Sequence, residues 1–182
     1  VTSEYGQLIV RPVTGLTLTG GVRHDDYNIY GSQTTFGGNF AYTPNEGRTV
    51  LRGTYAEGFR APTLTGSTLP FGNPALKAET AKGYDFGIEH NLLDGAVRAA
   101  ATYYHRKSNN QIAFSFVTFQ SENIARVRTQ GVEFELDIRP TENLKLLAGY
   151  NLIDAKSRSN DGTFGNRLAR RPRDGANASI EW

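Results

Sequence analysis

Residues 55–79, YAEGFRAPTLTGSTLPFGNPALKAE, connect two strand-like runs at residues 47–58 and 81–92. The segment contains three prolines, which lack the backbone N–H that a strand ladder requires: Pro62, Pro70 and Pro74. Ladder pairing is therefore excluded within it. We expect a structured loop between two neighbouring strands.

The two halves of this loop form a linked motif, GFRAP at residues 58–62 and FGNPALKAE at residues 71–79. The motif resembles a barrel segment of the TonB-dependent outer-membrane receptors, which import siderophores, cobalamin and similar scarce ligands. In that family a strand ends in Gly-Phe/Tyr-Arg/Lys-Ala-Pro, and Gly-Asn-Pro-x-Leu-x-Pro-Glu follows a short loop. Ala78 stands where the family commonly has proline. The matching positions are Gly58, Phe59, Arg60, Ala61, Pro62, Gly72, Asn73, Pro74, Leu76 and Glu79.

Later segments extend the resemblance over most of the chain from Leu16 onward. They are NIARVRTQGVEFE at residues 123–135, LKLLAGYNLIDA at residues 144–155, and Arg-Arg-Pro at residues 170–172. The resemblance implies that residues 1–182 are a partial domain, the C-terminal part of a 22-stranded transmembrane β-barrel. By the same resemblance, the plug domain, the box that TonB grips, the early strands and the final strands would lie outside this stretch.

Composition agrees with a membrane barrel. No stretch reaches the roughly 18 consecutive apolar residues of a spanning helix, and the mean hydropathy is -0.47. A spanning strand needs only about ten residues with one apolar face. The low hydropathy is therefore compatible with a membrane.

Several other classes of function have no support in the sequence. The absence of cysteine removes thiol catalysis, disulfides and cysteine zinc sites, and a net charge of +2 gives no reason to expect nucleic acid. No motif sets a nucleophile against a base. His24, Asp25 and Asp26 are adjacent, so they point to alternate faces of a strand, and we expect a rim loop there rather than a metal site. We predict no enzyme, no metal site and no cofactor.

Turn signals divide the chain into about nine strands, the last near residues 174–182. Tight turns are predicted at residues 12–15, 44–47, 93–95 and 140–143. Longer polar connections are predicted at residues 27–33, 60–80, 108–122 and 157–167. Strict alternation of short and long connections is typical of an up-and-down barrel with periplasmic turns and extracellular loops. The predicted fold is all-β, an antiparallel up-and-down meander.

The strands alternate between apolar and polar residues with a period of two. In residues 132–139 the even positions hold Val132, Phe134, Leu136 and Ile138, and the odd positions hold Glu133, Glu135, Asp137 and Arg139. Residues 16–25 and 81–92 alternate in the same way. Each strand is therefore expected to have one apolar and one wet face.

The wet face carries charges of both signs on neighbouring strands, which would pair across the wall for roughly 0.2–1 kcal/mol each. The residues predicted to face the lumen are Arg23, Arg52, Asp85, Glu89, Arg98, Arg106, Glu133, Glu135 and Asp137. By the resemblance, this face would contact the plug in an intact receptor. For any single residue, a solvated polar face without a specific partner is the alternative.

The apolar face is expected to meet outer-membrane lipid, with the core of a sandwich as the alternative. Candidates for an aromatic belt near the turn-proximal strand ends are Tyr42, Tyr84, Tyr150 and Trp182. The arginine-rich run at residues 167–173 would bind lipid phosphates at the mouth of a barrel, or form a solvated loop end.

By resemblance, the whole protein would be an outer-membrane receptor that binds a metal chelate or cofactor at extracellular loops and admits it with energy delivered by the TonB protein. Ligand contacts would be sought in residues 60–80 and 157–167. Two alternatives remain, a small self-contained outer-membrane barrel and a soluble β-sandwich binding module. Nothing in the sequence identifies the ligand.

Overall fold

The computed structural model describes residues 1–28, 31–63, 72–160 and 162–182, apart from the side chain of residue 124. Its nine strands in these ranges are β1 (Thr2–Val13), β2 (Leu16–Tyr27), β3 (Gly31–Tyr42), β4 (Thr49–Arg60), β5 (Glu79–Leu92), β6 (Val97–Ser115), β7 (Gln120–Thr141), β8 (Leu144–Ser157) and β9 (Asp174–Glu181). They form one antiparallel sheet in chain order. This confirms the predicted meander. Among the described strands, β1 and β9 are the two open edges.

The predicted tight turns lie together at one end of the sheet, after β1, β3, β5 and β7. Two of them share an unusual backbone. Asn45 and Glu46 have φ of 49° and 59°, and Leu93 and Asp94 have φ of 50° and 54°. In both turns a glycine with positive φ follows, a conformation that glycine adopts without steric cost. None of the described helices is long and apolar enough to cross a membrane.

The connections at the opposite end correct the predicted alternation of short and long. β3 begins at Gly31, only four residues after β2 ends at Tyr27. β6 continues to Ser115 and β7 starts at Gln120, so residues 108–122 are mostly strand rather than loop. The prediction was wrong there because polar residues can pair in a two-stranded ladder wherever water solvates both faces. The connections after β4 and β8 are long, as predicted.

The β6–β7 hairpin extends past its neighbours at this loop end. β5 begins to pair with β6 at Asn109, whereas β6 and β7 remain paired as far as Ser115. β6 has 19 residues and β7 has 22, against 14 in β5 and in β8. At the tip, Phe116 and Val117 are 81% and 90% exposed.

The register gives the sheet two chemically different faces, which we call the polar face and the outward face. In β5 the outward side chains of Tyr84, Phe86 and Ile88 are 44–49% exposed. The residues between them on the polar face are half-buried or buried. Side chains crowd one another on the inner side of a curved sheet, so this difference indicates that the sheet bends toward its polar face.

Candidate functional site

The second half of the loop motif is bound to the base of the β6–β7 hairpin by Asn123. Its Oδ1 accepts the Lys77 backbone N–H at 2.8 Å, and its Nδ2 donates to the backbone oxygens of Lys77 at 2.9 Å and Asn110 at 2.7 Å. The amide therefore substitutes for a missing strand partner. Asn110 lies at a bulge in β6 and has a positive φ of 56°.

Asn73 and Leu76 give the loop its local shape. The Asn73 Oδ1 accepts the Ala75 N–H at 2.9 Å, and the Asn73 carbonyl oxygen accepts the Leu76 N–H at 3.2 Å. Asparagine commonly stabilises a turn in this way. Its Nδ2 also donates to the Ser121 carbonyl at 3.1 Å, which ties the turn to β7. The Leu76 side chain is buried, with only 6% of its surface exposed.

Glu79 links the two halves of the motif where β5 begins. Its Oε1 accepts hydrogen bonds from Arg60 Nη2 and from the Ile112 backbone N–H, both at 2.8 Å. Arg60 and Glu79 are also direct partners in the β4–β5 ladder. The motif therefore joins β4, β5 and β6 at one point.

The remaining motif positions lie beside Arg60 or shortly before Glu79 in the chain. Gly58, Phe59 and Arg60 end β4, and Ala61 and a buried Pro62 follow. The Phe59 ring meets Tyr27 edge to face at 5.6 Å. Gly72 is half-buried and Pro74 is exposed. The motif residue at position 71, together with 64–70, lies outside the described residues, so ligand contact there stays a prediction.

The nine residues predicted on the wet face share the polar face of the sheet. Direct partners in the ladder point to the same side, and Arg52 opposes Gly87 while Arg98 opposes Asn91 and Asp137. The same register links Arg23 through β3 to this side. Whether this side faces a lumen stays a prediction.

Ion pairs on the polar face converge on Arg98. Its Nη2 lies 2.8 Å from Glu89 of β5, and its Nη1 lies 3.3 Å from Glu135 of β7. Asp137 pairs with Arg139 on its own strand at 3.3 Å. Asp85, Arg106 and Glu133 form no ion pair with any other residue that the structure describes. The predicted ladder of pairs is therefore only partly formed.

Arg52 reaches across β5 because that strand has a glycine in its path. Its Nη2 donates to Thr102 of β6 at 3.2 Å. A Cβ on Gly87 would come within 2.8 Å of Arg52 Nε and 3.0 Å of the Thr102 hydroxyl. Glycine at this position thus permits a side-chain bond between strands that are not neighbours.

Asp25 is a buried charge that the sequence reasoning missed. Residues 24–26 belong to β2 rather than to a rim loop, which corrects that prediction. Asp25 is 2% exposed and accepts bonds from Arg23 Nε and Nη2 at 2.8 Å and from the Ser3 hydroxyl at 2.5 Å. The sequence does contain a signal for this ion pair: Asp25 lies two residues from Arg23, so strand alternation places both side chains on the same face. No three described His, Asp or Glu side chains are grouped closely enough to hold a metal ion.

Comparison with known proteins identifies relatives along the whole chain. The family described as "TonB dependent receptor-like, beta-barrel" matches residues 1–182. The ferric enterobactin receptor of Pseudomonas aeruginosa is 25% identical over 217 aligned positions, covering 100% of this chain and 28% of that protein. The vitamin B12 transporter BtuB of Vibrio cholerae is 31% identical over 121 positions, covering 64% of this chain and 19% of that protein.

Solved structures show the same fold. The ferric enterobactin receptor PfeA of P. aeruginosa superposes with a TM-score of 0.83 at 23% identity, covering 99% of this chain and 30% of that one. The siderophore receptor PirA of P. aeruginosa gives 0.75 at 24% identity over 84% of this chain and 31% of that one. The chain thus spans less than a third of the length of these relatives.

Proposed function

The chain belongs to the TonB-dependent receptor family of bacterial outer-membrane β-barrels, and from this we propose that its strands form part of the wall of a receptor for energised uptake of a siderophore, cobalamin or similar scarce ligand. The curated relatives named above are a ferric enterobactin receptor and a vitamin B12 transporter. The family match over all 182 residues carries the proposal.

The geometry of the loop end supports a role in ligand binding. The long connections after β4 and β8 lie at the same end of the sheet, and in outer-membrane barrels the longer loops are extracellular. Asn123 and Asn73 hold the first of these connections against a hairpin. Residues 73–77, held in this way, would present a fixed surface, which would reduce the entropic cost of ligand binding.

On this proposal, the polar face is the inner wall. Asp85, Arg106 and Glu133 form no ion pair within the described residues, so they are the polar-face charges best able to interact with a plug or a passing ligand. The partners would be the TonB protein, acting through a plug, and a metal chelate or a cofactor. The proposal assigns no catalytic residue, since the family members named above are receptors and transporters rather than enzymes.

The test is uptake by cells. The gene product that carries these residues would be expressed in a bacterium lacking its own siderophore and cobalamin receptors, with and without a functional TonB protein. We expect at least one radiolabelled ferric siderophore or cobalamin to accumulate only in cells with TonB. Equal accumulation in both strains, or accumulation of none across a broad panel, would contradict the proposal.

The loop is tested in the same cells with the Asn73→Ala/Asn123→Ala variant. Loss of these side-chain hydrogen bonds is expected to weaken binding of the ligand to the cell surface. Binding is measured at 4 °C in energy-depleted cells, so that it is separated from transport. The matched control is Asn109→Ala, on the same hairpin, whose side chain forms no hydrogen bond with another described residue. Equal binding by all three proteins would exclude the loop from ligand recognition.

A further inference from the structure

Five cations form one line across the outward face, near the loop end of the sheet. In the ladder, Lys82 of β5 opposes Lys107 of β6, Lys107 opposes Arg128 of β7, and Arg128 opposes Lys156 of β8. Lys156 in turn bridges to Arg167 in the connection before β9. We call these five residues the basic row. All five have the parity of the outward side chains, so they point away from the polar face.

The repulsion between the cations of the basic row is unfavourable unless negative charge compensates it. Like charges directly opposite one another on neighbouring strands destabilise a sheet, and the basic row contains four such pairs in succession. Two carboxylates lie beside it. Glu57 pairs with Lys82 at 2.7 Å, and Asp154 lies 3.3 Å from both Arg128 and Lys156. Lys107 has no ion-pair partner among the described residues. On the polar face, by contrast, Arg98 lies between carboxylates.

The next outward row toward the membrane is uncharged and aromatic where it crosses β4 to β6. Tyr55, Tyr84 and His105 are direct partners in the ladder, and the Tyr84 and His105 rings stack with centroids 5.0 Å apart. The basic row is two residues beyond them, roughly 7 Å along the strands. Aromatic rings in barrels mark the level of the lipid head groups, so the basic row lies at or just above that level.

Tyr84 is therefore placed differently from the sequence prediction. Together with Tyr150 it was expected near a turn-proximal strand end. Tyr84 instead lies closer to the loop end of β5, and Tyr150 lies in the middle of β8. The correction arises because alternation assigns a residue to a face but does not specify its depth in the membrane.

The basic row borders a groove with further positive charge. Lys107 and Arg128 line a groove of about 340 Å³ together with Arg126 and Arg158, in the adjoining row. Within the described residues, Arg128 Nε is the buried side-chain nitrogen that lacks a hydrogen-bond partner. Arg128 therefore retains an unused donor, and reorientation toward an anion would satisfy it.

We propose that the basic row binds the phosphate groups of a lipid in the outer leaflet of the outer membrane. Guanidinium and ammonium groups form charge-assisted hydrogen bonds with phosphate, and a lipid with two phosphates could satisfy several cations of the row together. Its acyl chains would lie over the apolar side chains below. This proposal rests on the outer-membrane location of the family and is independent of which ligand is transported.

The test measures binding of lipid A with two phosphates to the gene product that carries these residues, purified from outer membranes in detergent and stripped of bound lipid. Native mass spectrometry gives the lipid occupancy, and dephosphorylated lipid A serves as the paired ligand. The Lys107→Gln variant removes a cation from the row. Arg106→Gln is the matched control, because it removes a cation from the adjacent residue on the opposite face. Circular dichroism verifies that each variant is folded.

We expect Lys107→Gln to weaken lipid A binding roughly tenfold, equivalent to about 1.4 kcal/mol, and Lys107→Gln/Arg128→Gln to weaken it further. Arg106→Gln should leave lipid A binding unchanged. With dephosphorylated lipid A, the difference between the variants should disappear. The proposal is overturned if the wild-type protein does not bind lipid A, if both single variants behave alike, or if dephosphorylated lipid A binds equally well. Competition by inorganic phosphate at concentrations equal to those of lipid A would also overturn it, since the site would then select the free anion.

Discussion

Removal of the Asn123 side chain should release the loop after β4 while leaving the sheet intact. The Asn123→Ala variant loses three hydrogen bonds of 2.7–2.9 Å to the backbone of Lys77 and Asn110. A net contribution of about 0.5–1.5 kcal/mol each gives roughly 1.5–4.5 kcal/mol. Lys77 is exposed, so water can replace part of this. We therefore expect the closed loop to lose about 2 kcal/mol of stability, which corresponds to a roughly 30-fold higher population of the open loop.

Hydrogen–deuterium exchange with mass spectrometry measures this opening directly in peptides covering residues 72–80. Asn109→Ala is the control, since it removes an amide from the same hairpin without removing a bond to the loop. Asn123→Asp should resemble Asn123→Ala, because a carboxylate keeps the acceptor for the Lys77 N–H but faces two carbonyl oxygens without a proton to donate.

A small effect would refute the reasoning. If Asn123→Ala accelerates exchange at residues 72–80 by less than about threefold, the three bonds contribute less than the smallest net values measured for such bonds. Acceleration of the same size in Asn109→Ala would assign the effect to the hairpin rather than to the anchor.

Two further predictions concern the polar face and the strands behind it. Gly131→Ala should destabilise the folded protein by about 1–3 kcal/mol in urea titrations, because its Cβ would collide with the Leu152 carbonyl oxygen, which is backbone and cannot rotate away. Gly20→Ala, where a Cβ meets nothing within 4 Å, should change stability little, and equal effects would contradict the steric argument. Arg98→Ala should destabilise by up to about 1 kcal/mol at low salt, since two carboxylates lose their shared cation. Raising the ionic strength should shrink that difference, and a salt-independent loss would indicate packing rather than charge.

The strand pattern could be predicted because face and alternation are local properties. β7 alternates strictly from Val132 to Ile138, and a shift of one residue would reverse both faces, so the pattern determines which side chains share a face. The tight turns carried their own signals in proline, glycine, asparagine and aspartate. The nine charged positions on the polar face were found by the same rule.

The contacts at the loop end could not be predicted, because they join residues distant in sequence. Asn123 and Lys77 are 46 positions apart, and no local pattern pairs them. The motif identified the loop residues that are held in place, but it did not identify Asn123 as the residue that holds them. Residues 108–122 were interpreted as loop because they are polar, although Ile112 and Phe114 keep the alternation of a strand.

The basic row was also only partly foreseen. Arginines at residues 167–173 suggested lipid phosphate, yet the cations that align with Arg167 come from four different strands. In the sequence these cations lie in separate segments, with 20 or more residues between those of neighbouring strands. Only the register shows that they form a line.

In the orientation proposed above, with the loop end extracellular, the long β6–β7 hairpin would project from the outer surface of the membrane. The 22 residues of β7 measure roughly 75 Å at about 3.4 Å per residue, while the apolar band of such barrels is about 25 Å tall. Even a steeply tilted strand therefore rises well clear of the lipid. An antibody raised against the tip could reach it on living cells. Because the loop at residues 72–79 is fastened to the base of the same hairpin, a binder that moves the tip would also pull on the loop.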